Sequence, residues 1–240
     1  MSAIFGSVAN MLIYRLPRQL NIVTDRSRCP KCDHVLFVTD LIPIFSYLWL
    51  KGRCQYCYKV ISSRYLYVEL ICVILAFYVT SLNLSSIDSV KLLIFAYITL
   101  ILFFSDLETQ LLPLILTLGL IILGVTFHIE SMTILFSLTG AMVGFLIIWL
   151  IRLLTSVLYK TETMGFGDIL LMAGVGAFWG IKTVVMVLHL AIVIGGIIAI
   201  VLLITKRAKK HEYIAFGPFI ILGFWVDYFF GNSILSCLYG

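Results

Sequence analysis

The chain has 240 residues, of which 62% are hydrophobic and only 12% charged, with a formal net charge of +5 and a mean hydropathy of +1.10. A water-facing surface carries roughly 25% charged residues, so about half that share excludes a soluble globular protein, and with it the disordered, collagen-like and disulfide-rich secreted classes. The positive balance is no nucleic-acid footprint either, because the basic residues are sorted between loops rather than gathered in one patch, and no nucleic-acid partner is expected.

A hydrocarbon core about 30 Å thick needs about 20 apolar residues as helix. Stretches approaching or exceeding that length run at 1–14, 65–83, 90–105, 111–127, 132–151, 168–181, 183–205 and 213–231. The first is short, about 21 Å as a helix, and reads as a short span with an interfacial helix as the alternative. It carries no Lys or Arg before its apolar run, which argues against a cleaved signal peptide. Stretches 132–151 and 183–205 contain no Asp, Glu, Lys or Arg, and the former holds Gly140 and Gly144 in a GxxxG pair that permits close helix packing.

Lys and Arg accumulate on the cytoplasmic side of short loops. Segment 15–64 carries nine of them, Arg152 and Lys160 lie between the fifth and sixth stretches, and Lys206, Arg207, Lys209 and Lys210 between the seventh and eighth. Only Lys91 and Lys182 fall on the other side. Eight crossings with both termini outside satisfy this rule, placing 15–64, 152–167 and 206–212 inside and 84–89 and 128–131 outside. The expected fold is therefore an all-α membrane protein of about eight transmembrane helices, with a small cytosolic four-cysteine segment after the first. Its expected parts are a first helix at 1–14, a cytosolic segment at 15–64 and a seven-helix membrane domain at 65–240.

Within the polar segment, Cys29-Pro-Lys-Cys32 and Cys54-Gln-Tyr-Cys57 are separated by 21 residues. Each CxxC turn aims two sulfurs at one point, and four thiolates close a tetrahedral metal site, for which zinc is the expected ion and a structural role follows from the lack of an open position. A cytoplasmic location disfavours disulfides. So short a segment has little core of its own, and a metal worth on the order of 10 kcal/mol could decide whether it folds. Four reduced cysteines without metal, or a thiol redox site, are the alternatives. Cys72 and Cys237 match no pairing pattern and read as small hydrophobes.

Charges at the edges of apolar spans are costly and call for a functional hypothesis. Asp106 ends the third stretch, Asp168 opens the sixth after Gly165-Phe166-Gly167, and eight crossings put both at the cytoplasmic boundary. Two carboxylates in one poorly solvated site tend to share a proton, the state an aspartic protease needs: one member takes a proton from water and the other donates to the scissile carbonyl. Gly165 and Gly167 would let a peptide backbone approach closely. The alternative is that each Asp merely caps the following helix. Glu108 could compete with Asp106, Glu69 reads as an anchor or a partner of Arg64, and His189 as a hydrogen-bonded packing residue.

In order, Gly6-Ser7, Asn10, Ile13-Tyr14-Arg15-Leu16-Pro17, Ser27-Arg28-Cys29-Pro30-Lys31-Cys32, Ile42-Pro43, Gly52-Arg53-Cys54-Gln55-Tyr56-Cys57, Ile61-Ser62-Ser63-Arg64-Tyr65 and Val68-Glu69-Leu70 precede Asp106-Leu107, Gln110-Leu111-Leu112-Pro113, Met164-Gly165-Phe166-Gly167-Asp168-Ile169 and Phe216-Gly217-Pro218-Phe219. This series resembles the type 4 prepilin peptidases, bacterial membrane aspartyl proteases also known as leader peptidase/N-methyltransferases. The resemblance implies that Asp106 and Asp168 are the catalytic pair and that the four cysteines bind zinc. It implies prepilins or type II secretion pseudopilins as substrates in the lipid bilayer, their basic leaders cut at the cytoplasmic face of the bacterial inner membrane, usually after Gly. It also implies methylation of the new N-terminus with S-adenosylmethionine. Two positions depart from the family pattern: Leu170 stands where a Lys is common and Leu114 where an Asp is. Methylation rests on the resemblance alone, since the cytosolic segment is too short for a doubly wound methyltransferase domain and has no glycine-rich cofactor loop. Competing readings are a presenilin-type intramembrane protease, which would lack the cysteine pairs, and a transporter, which would need titratable groups across the membrane.

Overall fold

The computed structural model describes residues 2–22, 26–29, 31–37, 40, 42–129, 133–159, 164–205 and 215–239, without the side chains of Ser2, Tyr159 and 232–239. Lys160, the basic run from Lys206 to Lys210 and the side chain of Cys237 therefore lie outside the described residues, as do parts of the inferred loops at 128–131, 152–167 and 206–212. The elements are α1 (Ser2–Arg15), α2 (Phe45–Trp49), α3 (Arg64–Ser81), α4 (Ser86–Thr109), α5 (Leu114–Thr126), α6 (Ile134–Tyr159), α7 (Phe166–Ile204) and α8 (Gly217–Tyr239). Among the described residues there is no strand, only two isolated bridges. Long apolar runs with no internal Pro favour this outcome, since a helix satisfies its backbone groups within one segment.

Among the described residues, four helices are long and apolar enough to cross a membrane, α3, α4, α6 from Ile134 to Leu158, and α7, while α5 and residues Gly217–Gly231 of α8 are shorter apolar helices. The stretches expected at 168–181 and 183–205 are the two limbs of α7, separated by a non-helical break at Gly180 (φ 77°, ψ −177°). Gly180 supplies the backbone freedom for the break. The two limbs of α7 run in opposite directions along α8: the N-terminal limb meets α8 at Asp168 beside Gly217 and again at Trp179, whose ring lies 5.5 Å from that of Phe224. The second limb returns, with Val187 and Ala191 against Gly223 and Gly195 against Phe219.

The chain divides into two compact units, Met1–Ile101 and Leu102–Gly240. In the second, the N-terminal limb of α7 is buried almost all round, from Asp168 to Phe178, as expected of a helix that is apolar on every side. Gly140 and Gly144 of α6 explain how it fits: a Cβ on Gly140 would collide with the Gly176 carbonyl, and one on Gly144 would lie 2.5 Å from the Met172 carbonyl oxygen. Backbones touch there, as small-residue pairs allow, and Ser137 Oγ donates to the Ala177 carbonyl at 2.8 Å. On another side α5 runs parallel to this limb, with Leu112 on Gly167, Leu120 on Gly174 and Gly124 on Ala177.

In the first unit α1 packs on α3, and Gly6 is required there because a Cβ would fall 2.7 Å from Glu69 Cα. Asn10 Nδ2 donates to the Tyr65 carbonyl (2.9 Å) and Tyr97 of α4 donates through its hydroxyl to the Phe5 carbonyl (3.0 Å). The chain leaving α1 is folded back by Arg15, whose guanidinium donates to the carbonyls of Asn21 and Ile22.

Candidate active site

Asp106 lies three residues before the end of α4, and Asp168 in the first turn of α7. Both are buried, 4% and 2% exposed. They come together at a third element that the sequence reading left without a role. Gly217 opens α8, and a Cβ built on it would stand 2.5 Å from Asp106 Oδ2 and 3.2 Å from Asp168 Oδ1. The two oxygens therefore lie no farther apart than the sum of those distances. The Gly-Pro pair at the start of the last apolar run was the available signal, since a side chain at position 217 would occupy the space between the carboxylates.

Capping accounts for only part of this arrangement. Asp168 does serve its own helix: Oδ2 accepts from the Gly165 amide at 3.2 Å, and its amide donates to the Gly165 carbonyl at 3.3 Å. A carboxylate in a first helical turn is also favoured by the helix dipole. Its other oxygen, Oδ1, and Asp106 Oδ2 are buried and make no hydrogen bond of ordinary length and angle, although the Gly217 amide is a donor directed to both carboxyls. Asp106 caps nothing: the following helix starts behind Pro113 with no side-chain capping bond. It sits instead in the last turns of α4, the end where the dipole disfavours negative charge. A buried polar oxygen left unsatisfied costs about 1–3 kcal/mol, and these two lie close to one point, Gly217.

The turn between α4 and α5 is held by Ser105 Oγ donating to the Leu111 carbonyl at 3.0 Å and by the Gln110 amide donating to the Asp106 carbonyl at 2.9 Å, with Gln110 in the left-handed region (φ 54°). Gly167 faces this turn, since a Cβ there would meet Leu112 Cβ at 2.6 Å, and Gly165 is the N-cap of α7. Glu108 is exposed and so separates from Asp106. Leu170 is buried in the core of the unit and Leu114 is exposed at the first position of α5. His189 Nδ1 pairs with the Val185 carbonyl of its own helix at 2.7 Å.

In the first unit the four cysteines converge, with their sulfurs all within 4.8 Å of one another. Cys29 and Cys54 are buried and none is in a disulfide. The two CxxC turns are built alike. The Cys29 amide donates to the His34 carbonyl and the Asp33 amide to the Cys29 carbonyl, while the Cys54 amide donates to Lys59 and the Tyr58 amide to Cys54. Each turn is closed by a bridge, Arg28 to Val35 and Arg53 to Val60, and passes through one left-handed residue, Asp33 or Tyr58, both at φ 56°. Tetrahedral zinc–sulfur bonds of about 2.3 Å require sulfurs roughly 3.8 Å apart, and Cys29 Sγ to Cys57 Sγ is already 4.0 Å. Burial opposes a thiolate at Cys54, but the amides of Cys57 and Tyr56 outweigh it and bring the thiol down to about 7. At Cys32 the His34 amide favours the thiolate, yet desolvation and hydrogen bonds from the other three sulfurs push it up to about 12. Four sulfurs this close together, none of them in a disulfide, form a donor set that fits a tetrahedral metal ion.

Glu69, expected to anchor or to pair with Arg64, accepts from the Ile44 amide at 2.8 Å, and the Arg64 guanidinium lies over the Tyr65 ring. Cys72 is buried, in keeping with a small hydrophobe.

Residues 1–82 match the bacterial peptidase A24 N-terminal domain and residues 93–200 the type IV leader peptidase family. A prepilin leader peptidase/N-methyltransferase of Aeromonas salmonicida (strain A449) is 32% identical over 97% of this chain and 89% of its own length. Proteins of the same name are 32% identical in Stutzerimonas stutzeri, over 96% of this chain and 89% of the relative, and in Vibrio cholerae serotype O1, over 95% and 93%. No solved structure matches significantly.

Proposed function

The chain belongs to the type IV leader peptidase family, and we propose that it removes the basic leader from type IV prepilins or type II secretion pseudopilins with Asp106 and Asp168 as its catalytic pair. The observation that carries this reading is the pair of buried carboxylates that meet at Gly217. In the proposed reaction the ionised carboxyl takes a proton from water as the oxygen attacks the scissile carbonyl carbon, and the protonated one donates to the carbonyl oxygen. When the tetrahedral intermediate collapses, the C–N bond breaks, the leaving amine takes the proton that the first carboxyl received from water, and the second carboxyl recovers one from the intermediate's hydroxyl as the new carboxyl group forms. Asp168 is positioned by the Gly165 amide through one oxygen, which leaves the other for this work.

The proposed setting is a bacterial inner membrane crossed eight times, with the break at Gly180 counted as the reversal between two crossings, and both aspartates at the cytoplasmic face. That depth suits a substrate whose apolar helix lies in the bilayer and whose basic leader stays inside. Residues 15–64 form the cytosolic segment, in which Cys29, Cys32, Cys54 and Cys57 would hold a structural zinc, and 65–240 the peptidase domain. Many relatives carry a methyltransferase name, and on that basis the protein also methylates the new N-terminal amine with S-adenosylmethionine.

Incubating the purified protein in lipid with a prepilin and reading intact mass tests the function: loss of the leader as one cut, followed by a gain of one methyl group, is expected, and an uncut substrate under conditions where a relative cuts it would refute the reading. Gly217→Ala should slow cleavage about 100-fold, because a small displacement of reacting groups is that costly, while the protein still accumulates normally in membranes. For topology, a membrane-impermeant thiol reagent should reach Ser86→Cys from the periplasmic side. Reaction only from the cytoplasm would invert the proposed orientation.

A further inference from the structure

The short helix α2 turns its two faces to different surroundings. On the inner face, Tyr47 donates through its hydroxyl to the Ile61 carbonyl at 3.3 Å, and Gly52 (φ 67°) leaves room for its ring. Ser46, Tyr47 and Leu50 line a cavity beside Asn10, between α1, α3 and the two cysteine turns. On the outer face Phe45, Leu48 and Trp49 take no part in that cavity and are 75%, 59% and 88% exposed. Ile42, just before the helix, is exposed as well. Clustered exposed apolar side chains with polar neighbours mark a contact site for protein or membrane.

A hydrogen bond places this face along the membrane normal. The Glu69 carboxylate accepts from the amide of Ile44, the residue preceding α2, at 2.8 Å. Glu69 stands five residues beyond Arg64, the first residue of α3, which is about 7.5 Å along the axis at about 1.5 Å per residue. Since α3 is long and apolar enough to cross a membrane, the start of α2 is held beside the second turn of a span, where headgroups give way to acyl chains. Ile44 has a left-handed backbone (φ 67°), a conformation that a β-branched residue keeps only when its surroundings impose it. The segment also has no freedom to leave the surface, because its two ends run into the apolar helices α1 and α3.

Charge narrows the partner to one class. Between 41 and 68 the chain has four basic residues, Lys51, Arg53, Lys59 and Arg64, and no Asp or Glu, and the first three are exposed. Aromatic side chains bordered by basic ones suit the interface of an anionic bilayer, with the rings among the upper acyl chains and the cations at phosphate level. A prepilin leader, itself basic, would be repelled by the same charges.

We propose that the outer face of α2, formed by Phe45, Leu48 and Trp49, is a docking surface for anionic phospholipid that inserts into the cytoplasmic leaflet and holds the four-cysteine segment against the bilayer. The proposal rests on the membrane topology proposed above and adds to it a contact made by no spanning helix.

Tryptophan fluorescence of the full-length protein tests it, in nanodiscs of phosphatidylcholine and phosphatidylglycerol with one or the other lipid brominated high on its acyl chains. The Trp49 signal is the difference between the wild type and Trp49→Phe. The difference between the wild type and Trp149→Phe gives the signal of Trp149, which is exposed on α6. Brominated lipid should quench both signals, and acrylamide in the water should reach Trp49 no better than Trp149. Phosphatidylglycerol carrying the bromine should quench Trp49 about twofold more than phosphatidylcholine at equal content. Lys51→Glu combined with Lys59→Glu should erase that preference and leave prepilin cleavage unchanged, which shows that the variant folds. Quenching of Trp149 alone, with Trp49 open to acrylamide, would overturn the docking surface and leave the membrane reading standing. Quenching of neither would overturn both. Protection of Trp49 that arises only on adding a prepilin would give the face to the substrate instead, and equal quenching by the two lipids in the wild type would overturn the anionic selectivity.

Discussion

Asp106→Asn and Asp168→Asn are each expected to lower prepilin cleavage to the background rate while the protein accumulates in the membrane at its normal level. Asn preserves the volume of the side chain and, at position 168, an oxygen that can still accept from the Gly165 amide, so the fold loses little. What it removes is the ability to exchange a proton. General acid or base catalysis contributes about 10²–10⁴-fold per group, and a pair that works as one unit loses nearly everything with either member. Glu108→Gln is the matched control: Glu108 is exposed two residues from Asp106, and its loss should leave most activity. If capping were the whole role of Asp168, Asn, itself a good helix-terminal residue, would leave cleavage nearly unchanged.

Removal of one cysteine should have the second large effect, on the first unit. Cys29→Ser or Cys57→Ser takes away one of four sulfurs that lie within 4.8 Å of one another, and with it the closed tetrahedral set that gives structural zinc its apparent binding energy of about 10–16 kcal/mol. Zinc content per chain, measured by elemental mass spectrometry on purified protein, should fall from near one to well below it. Limited proteolysis should then cut first between 15 and 64. Wild-type protein with well under one zinc per chain and four titratable native thiols would rule the metal out.

The parts of this protein that were legible in its sequence are those whose signal is local. The CxxC spacing announced a four-sulfur cluster because each pair is set by a single turn, although the left-handed conformations of Asp33 and Tyr58 were not readable, since neither is glycine. Apolar runs announced helices, and Gly140 with Gly144 announced a close helix contact without naming Gly176 and Met172 as the partners. The two apolar stretches meet between 181 and 183 and the backbone breaks close by, at Gly180, a position that hydropathy alone does not single out, because it reports where a chain meets water and not where it changes direction. Gly217 and the cavity beside Asn10 were illegible for a common reason. Each is made by segments distant in the chain, α4 with α7 and α8 in one case and α1 with α3 and the cysteine turns in the other, and no periodicity within one segment encodes such a meeting. The dual position of Asp168, one oxygen on the Gly165 amide and the other turned toward Gly217, likewise depends on the meeting of distant segments.

The central claim is that two carboxylates meeting at Gly217 do the cutting together, and its most direct measurement is the initial rate of prepilin processing in membranes holding equal amounts of the wild type, Asp106→Asn, Asp168→Asn and the double variant. A cooperating pair predicts background cleavage in all three variants, with the double variant no slower than either single one. Measurable turnover by one single variant, reduced further when the second substitution is added, would mean that the two aspartates act independently and that the meeting at Gly217 is structural.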